Sequence, residues 1–279
     1  MRARILLVPA LLGITLATVV AVAPAAAAPA PSLAVAADFN ATIRLNNCSA
    51  SLVRFPVSVD TDRAMMLTNG HCFEGGFLPA GQVLVNQAST RSGTLLNSAG
   101  TAVATVRADL LLYATMTGTD VSLYRLNQTF ATIRTNTGIS PLTVAATHPT
   151  NGVGFFIPSA FLSRIWTCTL NGFVNTLRED QWTWHDSIRY SNSNCTVAHG
   201  SSGSPLVETS TGNVIGINNT NNDNGQRCTL NNPCEVAPDG TTKAVQGQSY
   251  GEQTYWFTTC LTATRTIDLN KAGCLLTKP

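Results

Sequence analysis

The stretch CTVAHGSSGSPLVE, Cys195 to Glu208, sets three serines within four residues, with Gly200 before them, Gly203 among them and Pro205 closing the run ahead of Leu206 and Val207. Loops are often rich in Ser and Gly for no chemical reason, so composition alone decides nothing. A serine hydroxyl is a poor nucleophile until a histidine takes its proton and a carboxylate holds that histidine's other nitrogen. The attacked carbonyl also needs backbone N–H donors aimed at the developing oxyanion. Gly200 can take a backbone conformation closed to other residues and so turn amides toward one point. Gly203 leaves room beside Ser202, and Pro205 ends the loop before the next strand. Those are the demands of an acyl-transfer site.

The chain offers four histidines: His71, His148, His185 and His199. No histidine follows Ser202, which excludes the serine, acid, histidine order of the α/β-hydrolases, and Ser204 stands where their elbow pattern needs glycine. A subtilisin-like order needs a helix starting at the serine, which Pro205 and the surrounding strand pattern oppose. In MLTNGHCFEGG an apolar run (Ala64 to Leu67) ends in a short turn leading to His71, and Asp120 opens the alternating GTDVSLYRL. The order His71, Asp120, Ser202 remains. Asp109 in RADLLLYA competes with Asp120, since it too opens an apolar strand. His148, beside Pro149, reads as structural, and Trp184 and His185 in QWTWHD read as surface packing.

Short runs rich in Val, Thr, Ile, Leu and Tyr, bounded by Gly, Asn, Pro and Asp, recur along the chain. SLVRFPVSV, GQVLVNQ, TAVATVRADLLLYATM, PLTVAA, RIWTCTL and NVIGINN are examples, and they indicate an all-β sandwich or barrel. NQTFATIRTNTG, Asn127 to Gly138, is the candidate crossing between two halves.

Three segments, in order, resemble the chymotrypsin-like (trypsin-fold) serine proteases, in their secreted bacterial form. CSASLV…MLTNGHC resembles the family's first cysteine and Gly-Ser-Leu strand followed by its Ala-Ala-His-Cys box. TDVSLYRL…ISPLTVA resembles the Asp-Ile-x-Leu-x-x-Leu strand and the Pro-Leu segment after it. GSSGSPLV…GNVIGIN resembles the Gly-Asp-Ser-Gly-Gly-Pro box and the strand walling the specificity pocket. The resemblance implies two six-stranded antiparallel Greek-key β-barrels, over 38–132 and 133–279, with the active site in the cleft between them. It implies His71 as general base and then acid, Asp120 as its orienting partner, Ser202 as nucleophile, and the N–H groups of Gly200 and Ser202 as oxyanion hole. It implies a Cys48–Cys72 disulfide closing the loop that holds the base.

The departures carry information too. Where zymogen-activated members have an aspartate before the nucleophile, this chain has Ser201, so activation by an ion pair to a freed N-terminus is not expected. Thr196 falls near the usual pocket floor, and with it His199, Asn218 and Asn219 are the candidate pocket residues. His199 and Asn218 are candidates for reading an acidic or polar substrate side chain.

Arg2 and Arg4 precede an apolar run from Ile5 to Ala23, then Pro24 and the alanines 25–28. That order predicts a secretory signal peptide over 1–28 rather than a membrane anchor, with 29–37 a short pro-segment or loose start. Cleavage there removes Arg2 and Arg4 from 17 basic residues and none of the 15 acidic ones, leaving no net charge. No basic stripe argues for a nucleic-acid partner. All eight cysteines fall in the exported part and read as four disulfides, since no C-x-x-C pair suggests zinc. Pairing neighbours gives Cys168–Cys195, Cys228–Cys234 and Cys260–Cys274; a family-like Cys195–Cys228 bridge, sending Cys168 to Cys234 or elsewhere, is the alternative. The expectation is a secreted, monomeric endopeptidase acting on polypeptides, with no metal, no cofactor and no membrane contact after cleavage. A non-catalytic binding protein on the same framework and an esterase using the same site are the alternatives.

Overall fold

A computed structural model of the chain describes residues 34–190 and 195–279. The expected signal peptide and the first residues of the segment after it lie outside the described residues.

The first sheet is built from β1 (Thr42–Arg44), β2 (Ser49–Arg54), β3 (Arg63–Thr68), β4 (Val83–Ala88), β5 (Ser92–Leu96), β6 (Ala102–Thr115), β7 (Val121–Thr129) and β8 (Leu142–Thr143). Its strands run in the order β1, β5, β6, β7, β3, β2, and β1 then pairs β2, so six antiparallel strands close on themselves. Ile43 closes the ring, opposite Ala50 on one side and Leu95 on the other. Closure leaves no free edge along those six strands. Strand β4 joins β6 outside the ring, and β8 adds to β2 in parallel.

The second sheet holds β9 (Gly154–Ser159), β10 (Arg164–Thr169), β11 (Gly172–Glu179), β12 (Trp182–Tyr190), β13 (Pro205–Glu208), β14 (Val214–Asn221), β15 (Cys234–Val236), β16 (Thr242–Lys243) and β17 (Ser249–Gln253). These nine run in the order β10, β9, β13, β14, β17, β12, β11, β15, β16, all antiparallel. The all-β architecture expected from the sequence is found, as one closed six-stranded barrel and a second antiparallel sheet that holds nine strands where six were expected. Side chains such as Phe155, Ile157, Ile188, Leu206 and Ile215 fill the second sheet's interior. A larger apolar cluster fills the first barrel and continues through Trp182, Trp184, Val214 and Phe257.

The stretch Asn127 to Gly138 contains a helix, α1 (Phe130–Thr137), that periodicity does not reveal. Eight residues give too few turns for an apolar stripe to show. Capping and burial hold it instead: Thr129 Oγ1 accepts the Thr132 N–H at 3.1 Å, Gly138 ends it at φ +75°, and Phe130 and Ile133 are buried. A second helix, α2 (Trp256–Thr259), is a single turn. Among the described residues no helix is long and apolar enough to cross a membrane.

Four disulfides join Cys48–Cys72, Cys168–Cys195, Cys228–Cys234 and Cys260–Cys274. The neighbour pairing therefore holds, and Cys195 bonds Cys168 rather than Cys228.

Candidate active site

His71 sits in the turn that ends β3, Asp120 directly precedes β7, and β3 and β7 are paired neighbours in the barrel, Thr68 opposite Ser122. Adjacent strand ends thus bring base and carboxylate together across 49 residues of sequence. His71 Nδ1 lies 2.7 Å from Asp120 Oδ2, and the His71 backbone N–H donates to Asp120 Oδ1 at 2.8 Å. Two bonds to one carboxyl fix both the ring and the turn carrying it. Asp120 is fully buried. Asp109, the competing acid, accepts from Arg125 Nε at 2.8 Å instead. Gly70 makes the turn possible, since a Cβ there would lie 1.9 Å from the Thr115 carbonyl oxygen.

Ser202 lies on the loop entering β13. Its backbone carbonyl accepts from Ser49 N–H at 2.9 Å, which anchors the loop to the first barrel. Its hydroxyl donates to the Asn219 carbonyl at 3.4 Å. Gly203 follows at φ +76°, and a Cβ there would stand 2.1 Å from both the Ser49 carbonyl oxygen and Thr68 Oγ1. The loop therefore presses against the barrel where only glycine fits. Gly200 has φ +91°, and among the described residues the Gly200 and Ser202 amides have no acceptor. Ser201 serves the loop internally, donating to the Ala198 carbonyl while its hydroxyl accepts from Asn218 Nδ2 at 3.0 Å.

One fully buried side chain that sequence reasoning passed over links the two loops. Asn69 Nδ2 donates to the Asp120 carbonyl at 2.8 Å, while its Oδ1 accepts the Gly203 N–H at 2.5 Å. The carboxylate loop and the serine loop are thus tied by one amide. The available signal was that Asn69 stands where the resembling box carries alanine.

His71, Asp120, Gly200 and Ser202 line one cavity of about 280 Å³, together with Trp182 and Glu179. Burial disfavours the imidazolium of His71. The charge and hydrogen bond of Asp120 outweigh it and raise His71 above its ordinary range. Burial also pushes Glu179 up, opposed by bonds from Thr220 Oγ1 at 2.6 Å and the Asn231 N–H at 2.8 Å. Glu252 lies sealed beneath the site, and burial followed by the neighbouring Asp120 charge pushes it up to about 8.

The candidate pocket residues have different fates. Asn218 is committed internally, accepting from Tyr190 Oη at 2.5 Å. Asn219 lines the cavity and donates through Nδ2 to Glu252 Oε1 at 2.9 Å. His199 lies at the cavity edge with Nε2 2.8 Å from both oxygens of Asp223, and Thr196 is exposed. His148 contacts the Phe173 ring and Asp186, and His185 the Asn175 carbonyl, as packing positions do. Trp184 does not pack on the surface: it is buried, donates to the Met116 carbonyl at 3.0 Å, and lines the cavity. Among the described residues the one cluster of possible metal donors is Cys48, His71 and Cys72. Its two sulfurs are joined as a disulfide, which leaves no thiolate to bind a metal.

The chain belongs to the family of trypsin-like peptidase domains, which matches residues 55–217 and so includes His71, Asp120 and Ser202. Among solved structures it is similar to the protease domain of MamO from Magnetospirillum magneticum, at 12% identity over 77% of this chain and 92% of that one, TM-score 0.45. It is similar to the Rv3671c protease from M. tuberculosis in its active form, at 13% identity over 92% and 96%, TM-score 0.47. A Nocardiopsis protease matches at 13% identity over 77% and 91%, TM-score 0.42. No curated protein matches the chain.

Proposed function

We propose that the chain is a secreted serine endopeptidase that cleaves peptide bonds through an acyl-enzyme on His71, Asp120 and Ser202. The observation that carries this reading is the 2.7 Å bond between His71 Nδ1 and Asp120 Oδ2 at the wall of the cavity that Ser202 also lines. With Nδ1–H donated to Asp120, the lone pair of His71 sits on Nε2. That nitrogen takes the Ser202 proton as Oγ attacks the substrate carbonyl carbon, and the carbonyl oxygen becomes an oxyanion received by the Gly200 and Ser202 N–H groups. Collapse expels the amine, which takes the proton back from Nε2. Water repeats the sequence on the ester, releasing the acid and restoring Ser202. The resting bond from Ser202 to the Asn219 carbonyl is long at 3.4 Å and easily given up. Each oxyanion donor is worth about 3 kcal/mol of barrier.

The test is labelling with a fluorophosphonate and mapping of the adduct. Modification at Ser202, lost in Ser202→Ala, together with cleavage of casein, supports the reading. An unlabelled chain refutes it in favour of a binding protein, and ester hydrolysis without casein cleavage refutes the endopeptidase assignment. Export is tested by sequencing the N-terminus of protein recovered from the medium, where a start beyond Ala28 is expected.

A further inference from the structure

The wall of the cleft beyond His71 carries an acid that the proposed chemistry does not use. Strands β11 and β12 form a hairpin in which Glu179 stands opposite Trp182 and Leu177 opposite Trp184. Side chains paired this way share a face of the sheet, so Glu179 lies beside an indole on the cavity wall. Trp182 and Trp184 each give their indole N–H to a backbone carbonyl, of Leu78 and Met116, which leaves the ring surfaces to face the cavity. Phe77 extends the aromatic wall toward the base, its ring edge-on to Trp182 at 5.6 Å and to His71 at 5.8 Å.

Glu179 is only 5% exposed, yet no Lys or Arg lines this cavity or faces the carboxyl among the described residues. The positive group that acts on it is the His71 imidazole, which is neutral when it serves as base, and a buried carboxylate left so gains when a cation arrives. A second observation points the same way. Asn219, 4% exposed and lining the same cavity, leaves its Oδ1 without any donor among the described residues. A buried carboxyl that accepts only neutral donors, from Thr220 and Asn231, and an amide oxygen with no donor, both set among aromatic rings, suit a group rich in N–H, positively charged and attracted to ring faces.

Resting on the endopeptidase reading, we propose that Glu179 is a specificity-determining residue that receives the cationic head of a substrate Lys or Arg side chain lying within four residues of the cleaved bond. Phe77 and Trp182 cover the aliphatic stem of that side chain, and Asn219 Oδ1 supplies a further acceptor.

Arginine and citrulline have nearly the same shape and differ in charge, so paired peptides isolate the interaction. A positional scan placing each in turn at the four positions on either side of the cut is read as kcat/KM. At one position the wild-type chain should prefer arginine at least tenfold, and glutamate there should be the poorest substrate. In Glu179→Gln, which keeps an acceptor for Thr220 or Asn231, the arginine to citrulline ratio should fall to within about threefold. Binding of the same peptides to the Ser202→Ala chain, followed by fluorescence anisotropy, reads the site without turnover and should show the same ratio. Absence of an arginine preference at every position, or a preference unchanged in Glu179→Gln, overturns the proposal. Fluorophosphonate labelling of the wild-type chain separates the two failures: a labelled, casein-cleaving enzyme with no such preference sinks this proposal alone.

Discussion

Four donors converge on the Glu252 carboxyl. Asn219 Nδ2 and Ser187 Oγ reach Oε1 at 2.9 and 3.3 Å, Thr119 Oγ1 reaches Oε2 at 3.0 Å, and the Asp120 backbone N–H bonds the same group. Such a shell favours the carboxylate, but full burial and then the Asp120 charge win, and the group is pushed from 4.5 up to about 8. At neutral pH Glu252 is therefore an acid holding its proton, which it can give to either hydroxyl, since these reverse their roles while the two amides cannot. The folded state binds this proton more tightly than the unfolded chain. The Glu252 contribution to stability is thus fully present below pH 4.5 and is lost as pH rises through about 8. At 1.36 kcal/mol per pKa unit, the full loss approaches about 5 kcal/mol.

Glu252→Gln removes the titration but turns an amide NH₂ toward one of the two obligate donors, at a cost of about 1–3 kcal/mol. In a Ser202→Ala background that prevents self-digestion, the Gln variant should be less stable than its parent in acid. It should become more stable by about 2–4 kcal/mol in alkali, with a crossover near pH 6. Urea unfolding with the disulfides intact, repeated from about pH 5 to 9, measures this directly. Every other group titrates in both chains, so the difference isolates Glu252. Curves that stay parallel across that range would refute the reasoning, because they would mean that the four donors keep Glu252 ionised in the fold.

Because His71 is raised above 6.5 and must be neutral to act as base, kcat/KM should climb with pH through a midpoint above that value; a midpoint below it in a pH–rate profile contradicts the assigned surroundings. Gly203→Ala forces a Cβ against the Ser49 carbonyl oxygen at φ +76°, so it should abolish fluorophosphonate labelling and lower the melting temperature, whereas normal labelling would show that the serine loop can move away. Asn69→Ala strips the Asp120 carbonyl of a buried donor and should cost about 1–3 kcal/mol, measured by urea unfolding. Its labelling rate should fall further than that loss of folded protein explains, and an unchanged rate would reduce Asn69 to a packing role.

What could be read from the sequence follows from how local each signal is. His71, Asp120 and Ser202 each lie at a strand end within a run of distinctive residues, and chain order then selects one arrangement. The disulfides were readable because each cysteine bonds a near neighbour in sequence; the longest separation is 27 residues. Asp109 and Asp120 each open an apolar run; the segment after Asp120 favours it by resemblance, and the pairing of β3 with β7 is what sets its carboxyl against His71. The missed residues are set by facing and register. Glu179 looks like an ordinary charge beside a turn, and its burial depends on sharing a face with Leu177 and on standing opposite Trp182. Trp184 reads as surface until the Asp120 loop packs on β12 through the Gly118 N–H to Thr183 carbonyl bond.

Three acids surround one imidazole, and their environments separate their roles. Asp120 is bonded to the ring and turn of His71, and in the proposed mechanism its charge orients that base and stabilises the imidazolium formed as Ser202 loses its proton. Glu252, behind it and closed to solvent, would add a second negative charge against Asp120 if it ionised, and burial keeps it neutral where the enzyme would work. Glu179, buried on the same cavity wall but not bonded to His71 and paired with no Lys or Arg among the described residues, is the acid that we propose receives a cation entering the cleft. Carboxyl groups that composition counts as equal are thus divided by their partners into one bonded to His71, one sealed beneath the site and one on the cavity wall that we propose as the receptor. That division is why neutralising Glu252 should move stability with pH, while neutralising Glu179 should move the choice of substrate.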